Sequence, residues 1–166
     1  MTQPATRDEL AVRRAEISAR YLLPRDARPV SAGRGVHHVA LISSDVERTV
    51  RFIDGLLEFP LIEMFENRDY EGSTHFFFDI GNGNSLAYFD LPGLPLGAYD
   101  EVLGGLHHLA ISVEPERWSH LRAKLEAAGV ETLNLSDSSL YFSGPDGERL
   151  ELISDPLGRM YGSDVG

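Results

Sequence analysis

A chain of 166 residues, 42% apolar and 25% charged, has the size and makeup of one globular domain with a substantial core, or of two very small fused modules. Fifteen basic against 26 acidic side chains give a net charge of −11, which opposes binding to nucleic acid or to an anionic membrane surface. The absence of cysteine excludes a disulfide framework, a thiolate metal site and a cysteine nucleophile.

No apolar run approaches the roughly 18 residues that a membrane span needs. The start, MTQPATRDEL, is polar and unlike a signal peptide, so a cytoplasmic location is the expectation. Residues 7–23 carry Leu10, Ile17, Tyr21 and Leu22 at helical spacing and predict an amphipathic helix. Residues 24–35, with their Pro and Gly, predict a linker, so the helix is an appendage suited to packing on a second subunit.

A strand is predicted over 36–42 (VHHVALI), followed by N-cap chemistry at Ser43-Ser44-Asp45. Val46, Val50, Ile53 and Leu57 share a helical face, and Phe59-Pro60 ends that helix. Strands follow at 61–65, 75–80 and 85–91, the last two joined by the hairpin turn GNGN. Residues 92–104 are a Pro- and Gly-rich connector. The same order then returns: a strand at 106–113 (LHHLAISV), a helix at 115–128 with Trp118, Leu121 and Leu125 on one face and Gly129 as its stop, and strands at 130–135, 140–142 and 149–153. Between the last two strands, Gly144-Pro145-Asp146-Gly147 is strong turn chemistry.

The internal repeat is the most informative feature. VHHVALI matches LHHLAIS at an offset of 70, and FFFDIGNGNSLAYFD matches LYFSGPDGERLELIS at an offset of 64. Under the second alignment Phe77 corresponds to Tyr141, His75 to Ser139 and Ala87 to Glu151. The expected class is α+β: two βαβββ modules at 35–91 and 105–154, an N-terminal helix and linker at 1–34, the connector at 92–104 and a C-terminal tail at 155–166. A lone Glu on a strand is ordinarily solvated. Glu151 draws notice only because two His-His strands accompany it at repeat-related positions.

A duplicated βαβββ unit with a His-His-aliphatic-Ala first strand and a PDG-x-x-x-E last hairpin resembles the vicinal oxygen chelate superfamily. That superfamily includes glyoxalase I, bleomycin-binding proteins, fosfomycin-modifying enzymes, methylmalonyl-CoA epimerase and extradiol dioxygenases. The resemblance covers residues 35–154 and implies half-barrel modules around one divalent metal, with His38, His108 and Glu151 at the ligand positions. Strand alternation puts His38 and Ala40 on one face, with Val39 and Leu41 on the other. His37 and His107 are expected to point away. Four-ligand relatives carry a Glu where this chain has Ala87. The remaining facial set of two imidazoles and one carboxylate suits Fe(II), with Mn(II) also compatible.

Tyr141, ten residues before Glu151, matches a tyrosine that hydrogen-bonds substrate hydroxyl in extradiol dioxygenases, and His75 is a candidate acid or base. The first expectation is a ring-cleaving extradiol dioxygenase acting on a small catechol-like substrate as a homodimer. A missing acid-base His in residues 92–104 counts against it. The alternatives are a glyoxalase-like lyase or isomerase or a fosfomycin-type thiol transferase, and a sequestering protein of the bleomycin-binding kind. A single lysine, Lys124, makes a phosphonate pocket a poor match.

Overall fold

The structure, a computed structural model, describes residues 5–160 and 162–165. Two compact units divide the chain, Met1–Gly35 and Val36–Gly166. In the first, helix α1 runs over Arg7–Tyr21. A capping box starts it: the Thr6 hydroxyl accepts from the Glu9 N–H at 3.3 Å while the Glu9 carboxylate accepts from the Thr6 N–H at 2.7 Å. Leu10, Ile17 and Tyr21 are exposed. A short 3₁₀ turn follows at Arg25–Ala27.

The second unit contains the repeat. Strand β1 (His38–Ile42), helix α2 (Val46–Val50), β2 (Leu61–Glu66), β3 (Thr74–Asp79) and β4 (Ser85–Phe89) form one module. Strand β5 (Leu109–Ser112), helix α3 (Pro115–Ala127), β6 (Thr132–Ser136), β7 (Ser139–Ser143) and β8 (Arg149–Ile153) form the other. The sheets order as β1-β4-β3-β2 and β5-β8-β7-β6, each with its first strand parallel to its last. The predicted offsets survive as hydrogen-bonded register. Ala87 lies between Ala40 and Phe77, and Glu151 lies between Ala110 and Tyr141.

Three local differences from the sequence expectation have physical reasons. The helix expected over 46–57 is α-helical only to Val50 and widens to a π-helix over Arg51–Leu56, which lets Ile53 and Leu57 both reach the core fully buried. The strand expected from Leu106 begins at Leu109, because the connector still engages Leu106 and His107: the Tyr99 hydroxyl lies 2.8 Å and 2.9 Å from their carbonyl oxygens. The C-terminal tail contains a short hairpin, β9 (Arg159–Met160) with β10 (Ser163–Asp164). No helix among the described residues is long and apolar enough to cross a membrane.

One core serves both modules. Phe76, Phe78, Leu86 and Tyr88 from the first sheet meet Leu140, Phe142, Leu150 and Leu152 from the second, with Ile53, Leu57, Trp118, Leu121 and Leu125 from the helices. Each fully buried side chain of this kind contributes about 1.5–3 kcal/mol. Because side chains alternate along a strand, the other side of each sheet carries His38, Ala40 and Ile42, or Ala110, Glu151 and Ile153, away from that core.

Polar ties hold the modules together. Glu58, a non-glycine residue at φ 59°, receives Arg117 at 2.6 Å, Lys124 at 2.8 Å and His120 at 2.9 Å. Hydrogen bonds from His120 and then Lys124 hold its carboxyl down at about 2. The tight turn before β8 docks on the first module: Asp146 binds the Ser44 N–H at 3.0 Å and Arg48 at 2.7 Å. Inside that turn Glu148 is 5% exposed and accepts from the Tyr88 hydroxyl at 3.0 Å. Its carboxyl fills the space that a Cβ on Gly144 would occupy.

Burial pushes the Glu148 pKa above its ordinary 4.5. The folded state therefore holds this proton to higher pH than the unfolded chain, so the group's contribution is most favourable below that value and is lost as pH rises through the folded pKa. Glu148→Gln, which stays neutral, is expected to gain on the wild type as pH rises from about 4 to about 8, a span that starts below the ordinary carboxyl value, read from urea unfolding midpoints. A stability difference that is flat across this range contradicts the assignment.

Candidate metal site and the family of the chain

Glu151 sits at the middle of β8 on the side away from the core, yet it is only 4% exposed. The Ser139 hydroxyl, two residues before Tyr141 on β7, donates to its Oε1 at 2.5 Å. Its Oε2 lies 3.2 Å from His108 Nε2. The Tyr141 ring stands edge-on to the His108 ring at 5.2 Å, and its hydroxyl is 3.4 Å from the same Nε2. Three side chains expected at the site, His108, Tyr141 and Glu151, thus converge on the open side of the second sheet.

A second layer holds them, and the sequence reading missed it. His107 does not simply turn away: its Nδ1 meets His108 Nδ1 at 2.7 Å, which leaves Nε2 of His108 facing Glu151. Arg149 Nη1 lies 3.3 Å from His107 Nε2, and its Nη2 pairs with Glu101 of the connector at 2.5 Å. Ser139 and Glu101 had no detectable signal, since one is a plain serine at a strand start and the other one acid among many. The cavity beside these groups has a volume of about 390 Å³ and is walled also by Asp137, Ile153, Asp155 and Met160. The last of these lies in the hairpin of the expected tail.

His38 and His75 lie elsewhere, on the open side of the first sheet. His38 is exposed, has its Nδ1 2.9 Å from His37 Nδ1 in the same manner as His108, and stands beside Phe77. His75 stacks on Phe89 at 3.8 Å, with Phe77 at 4.2 Å and Phe65 edge-on at 5.4 Å. Its Nε2 is buried with no hydrogen-bond partner among the described residues. Burial, then the nearby His38, pulls its pKa below the usual imidazole value. Among the described residues no three His, Asp or Glu side chains gather into a metal cluster within the chain. Two of the three candidate ligands are together, and the third occupies the equivalent place on the other sheet.

The donors present suit a divalent ion. A nearly buried carboxylate whose Oε2 meets an imidazole nitrogen is a charge that favours a cation. Donors each about 2.1 Å from one ion and at right angles lie about 3 Å apart. The His108–Glu151 separation of 3.2 Å is close to that value.

A profile of the Glyoxalase/Bleomycin resistance protein/Dioxygenase superfamily matches residues 35–152. The chain is 24% identical over 139 residues to the candidate ring-cleaving dioxygenase MhqA of Bacillus subtilis (strain 168), covering 79% of this chain and 43% of the relative, so it spans less than half of that protein's length. A glyoxylase/bleomycin resistance protein/dioxygenase domain from Frankia sp. EAN1pec has a similar fold, with a TM-score of 0.63, 24% identity, and coverage of 74% of this chain and 98% of that one. The fosfomycin resistance protein FosX of Listeria monocytogenes, solved as a variant with Mn(II) and 1S,2S-dihydroxypropylphosphonic acid, has a TM-score of 0.55 at 22% identity, covering 75% of this chain and 94% of that one. With both βαβββ modules inside the matched span, this chain belongs to the Glyoxalase/Bleomycin resistance protein/Dioxygenase superfamily.

Proposed function

We propose that the protein is a metal-dependent, extradiol-type dioxygenase that cleaves an aromatic ring bearing vicinal hydroxyls. In this reading it works as a homodimer in which His38 of one copy joins His108 and Glu151 of the other. The observation that carries it is the convergence of His108 Nε2, Glu151 Oε2 and the Tyr141 hydroxyl on one cavity, with Ala87 where a fourth carboxylate would stand. The likeness to a candidate ring-cleaving dioxygenase supports the same class. The dimer is supported by the placement of His38 on a separate open face that also carries the exposed Ile42 and Phe65.

A divalent ion held by His38, His108 and Glu151, Fe(II) in this reading and Mn(II) the alternative, would supply the Lewis-acid and redox chemistry that activates a diol toward O₂. The protein's own groups do the rest. Ser139 fixes Oε1 of Glu151 so that Oε2 stays turned to the cavity. His107 fixes the ring of His108 through the Nδ1 contact. Tyr141 is placed to donate its hydroxyl proton to a diol oxygen, which orients the ring. His75, whose Nε2 is unpartnered among the described residues and whose pKa burial and then His38 lower, is the proposed proton acceptor. Ile153 and Met160 give the ring an apolar wall.

Replacing Glu151 by Ala is expected to remove nearly all bound metal, measured by elemental analysis after anaerobic purification. Full stoichiometric metal in that variant rejects the ligand assignment.

The shared site predicts complementation. His38→Ala and Glu151→Ala chains are each expected to be inactive alone. After subunit exchange at equal amounts they should recover about a quarter of the wild-type sites, because half the dimers are mixed and each mixed dimer holds one intact set. No recovery, or a solution mass equal to one chain of 18.4 kDa, sinks the dimeric site.

Reconstitution with Fe(II) under anaerobic conditions, then oxygen uptake over a panel of catechols, tests the reaction. Tyr141→Phe is expected to slow turnover at least about tenfold with metal content unchanged, since it removes a hydrogen bond and no ligand. Turnover of a hemithioacetal or an epoxide without oxygen uptake by any catechol moves the protein to the glyoxalase or fosfomycin type.

A further inference from the structure

We infer that the site selects against anionic substrates, and that Asp137, Asp155 and Glu101 impose that selection on a diol whose other substituents are neutral or cationic. The inference rests on the metal-diol reading above and adds the charge class of the ligand.

Charge on the cavity is one-sided. Asp137 and Asp155 line it together with Glu151, and neither aspartate is paired with a cation among the described residues. Among the described residues no arginine or lysine lines the cavity. One guanidinium comes near: Arg149, on the same side of β8 as Glu151 and hydrogen-bonded to His107 beside His108. It is the residue that would clamp a carboxylate or phosphonate on a ligand. Its fork is already taken, because Glu101 holds Nη2 at 2.5 Å and also stands 3.7 Å from His107 Nε2. The connector thus supplies an internal carboxylate where an anionic substituent would otherwise dock.

The ionic sum points the same way. A divalent ion and the Glu151 carboxylate leave one positive charge, and a bound diolate cancels or exceeds it. A further anion on the ring would then meet Asp137 and Asp155 with nothing to offset it. An ammonium or a neutral group meets no such cost.

The test uses the full chain loaded with Zn(II), which binds diols without oxidation, and calorimetric affinities for three ligands of similar shape: 4-ethylcatechol, dopamine and 3,4-dihydroxyphenylacetate. The wild type is expected to bind 4-ethylcatechol about tenfold more tightly than 3,4-dihydroxyphenylacetate, a gap of the size that one uncompensated charge near two others produces. Dopamine should bind at least as well as 4-ethylcatechol. Raising the salt from about 20 mM to about 0.5 M should narrow the gap, since partly exposed charges are screened. Asp137→Asn with Asp155→Asn should narrow it by removing repulsion, and Glu101→Gln by freeing Arg149. Equal or tighter binding of 3,4-dihydroxyphenylacetate by the wild type overturns the inference without recourse to any variant. A gap that persists unchanged in both variants overturns the assignment to these residues. Bound Zn(II) with no affinity for any of the three overturns the diol reading, and this one with it.

Discussion

A four-stranded sheet has two sides, and in this chain a single core claims one side of each of two sheets. Phe76, Phe78, Leu86 and Tyr88 are matched across that core by Leu140, Phe142, Leu150 and Leu152. Everything else follows from where this leaves the alternate residues. They cannot enter the core without a one-residue slip that would expose eight large apolar side chains. His38 and Glu151 are therefore committed to the open sides, whatever function those sides serve. The module joint at Glu58, Asp146 and Glu148 ties the two sheets through ion pairs and one buried hydrogen bond.

Much of this was legible in the sequence because it rests on local period and on repetition. The two offsets, 70 for the first strands and 64 for the last hairpins, made Ala87 and Glu151 equivalent from letters alone, and the structure pairs them alike, with Ala40 and Phe77 and with Ala110 and Tyr141. Trp118, Leu121 and Leu125 were legible for the same reason, as a helical stripe. What escaped depends on residues far apart in the chain. Ser139 and His107 hold the donors only once β7, β8 and the start of β5 are adjacent. Glu101 reaches Arg149 across 48 positions from a segment with no periodicity. Glu151 also departs from the ordinary solvated Glu on a strand, as its company of two His-His strands suggested: neighbouring strands cover it, and Ser139 and His108 take the place of water.

The electrostatics divide by role. The charges that organise the fold are paired: Glu58 holds three cationic side chains, and Asp146 holds Arg48. Those along the cavity are not balanced in this way. Glu151 is nearly buried, Asp137 and Asp155 lack cations, and Arg149 is engaged elsewhere. Glu151 is held by Ser139 and His108, while Asp155 is half-buried and Asp137 exposed, so the cavity's acidic charge grades from the interior to the solvent.

The mismatch at one pair of equivalent positions, Ala87 and Glu151, has a further consequence. Two copies of one module that both kept a carboxylate would remain interchangeable. With alanine there, the open side of the first sheet carries Phe65, Phe77 and Phe89 packed about His75, beside His38, where the second sheet carries Glu151. One half presents imidazoles in an aromatic surround and the other an imidazole with a carboxylate. The repeat symmetry persists in the backbone and in the paired histidines, while at this position the two halves are not exchangeable.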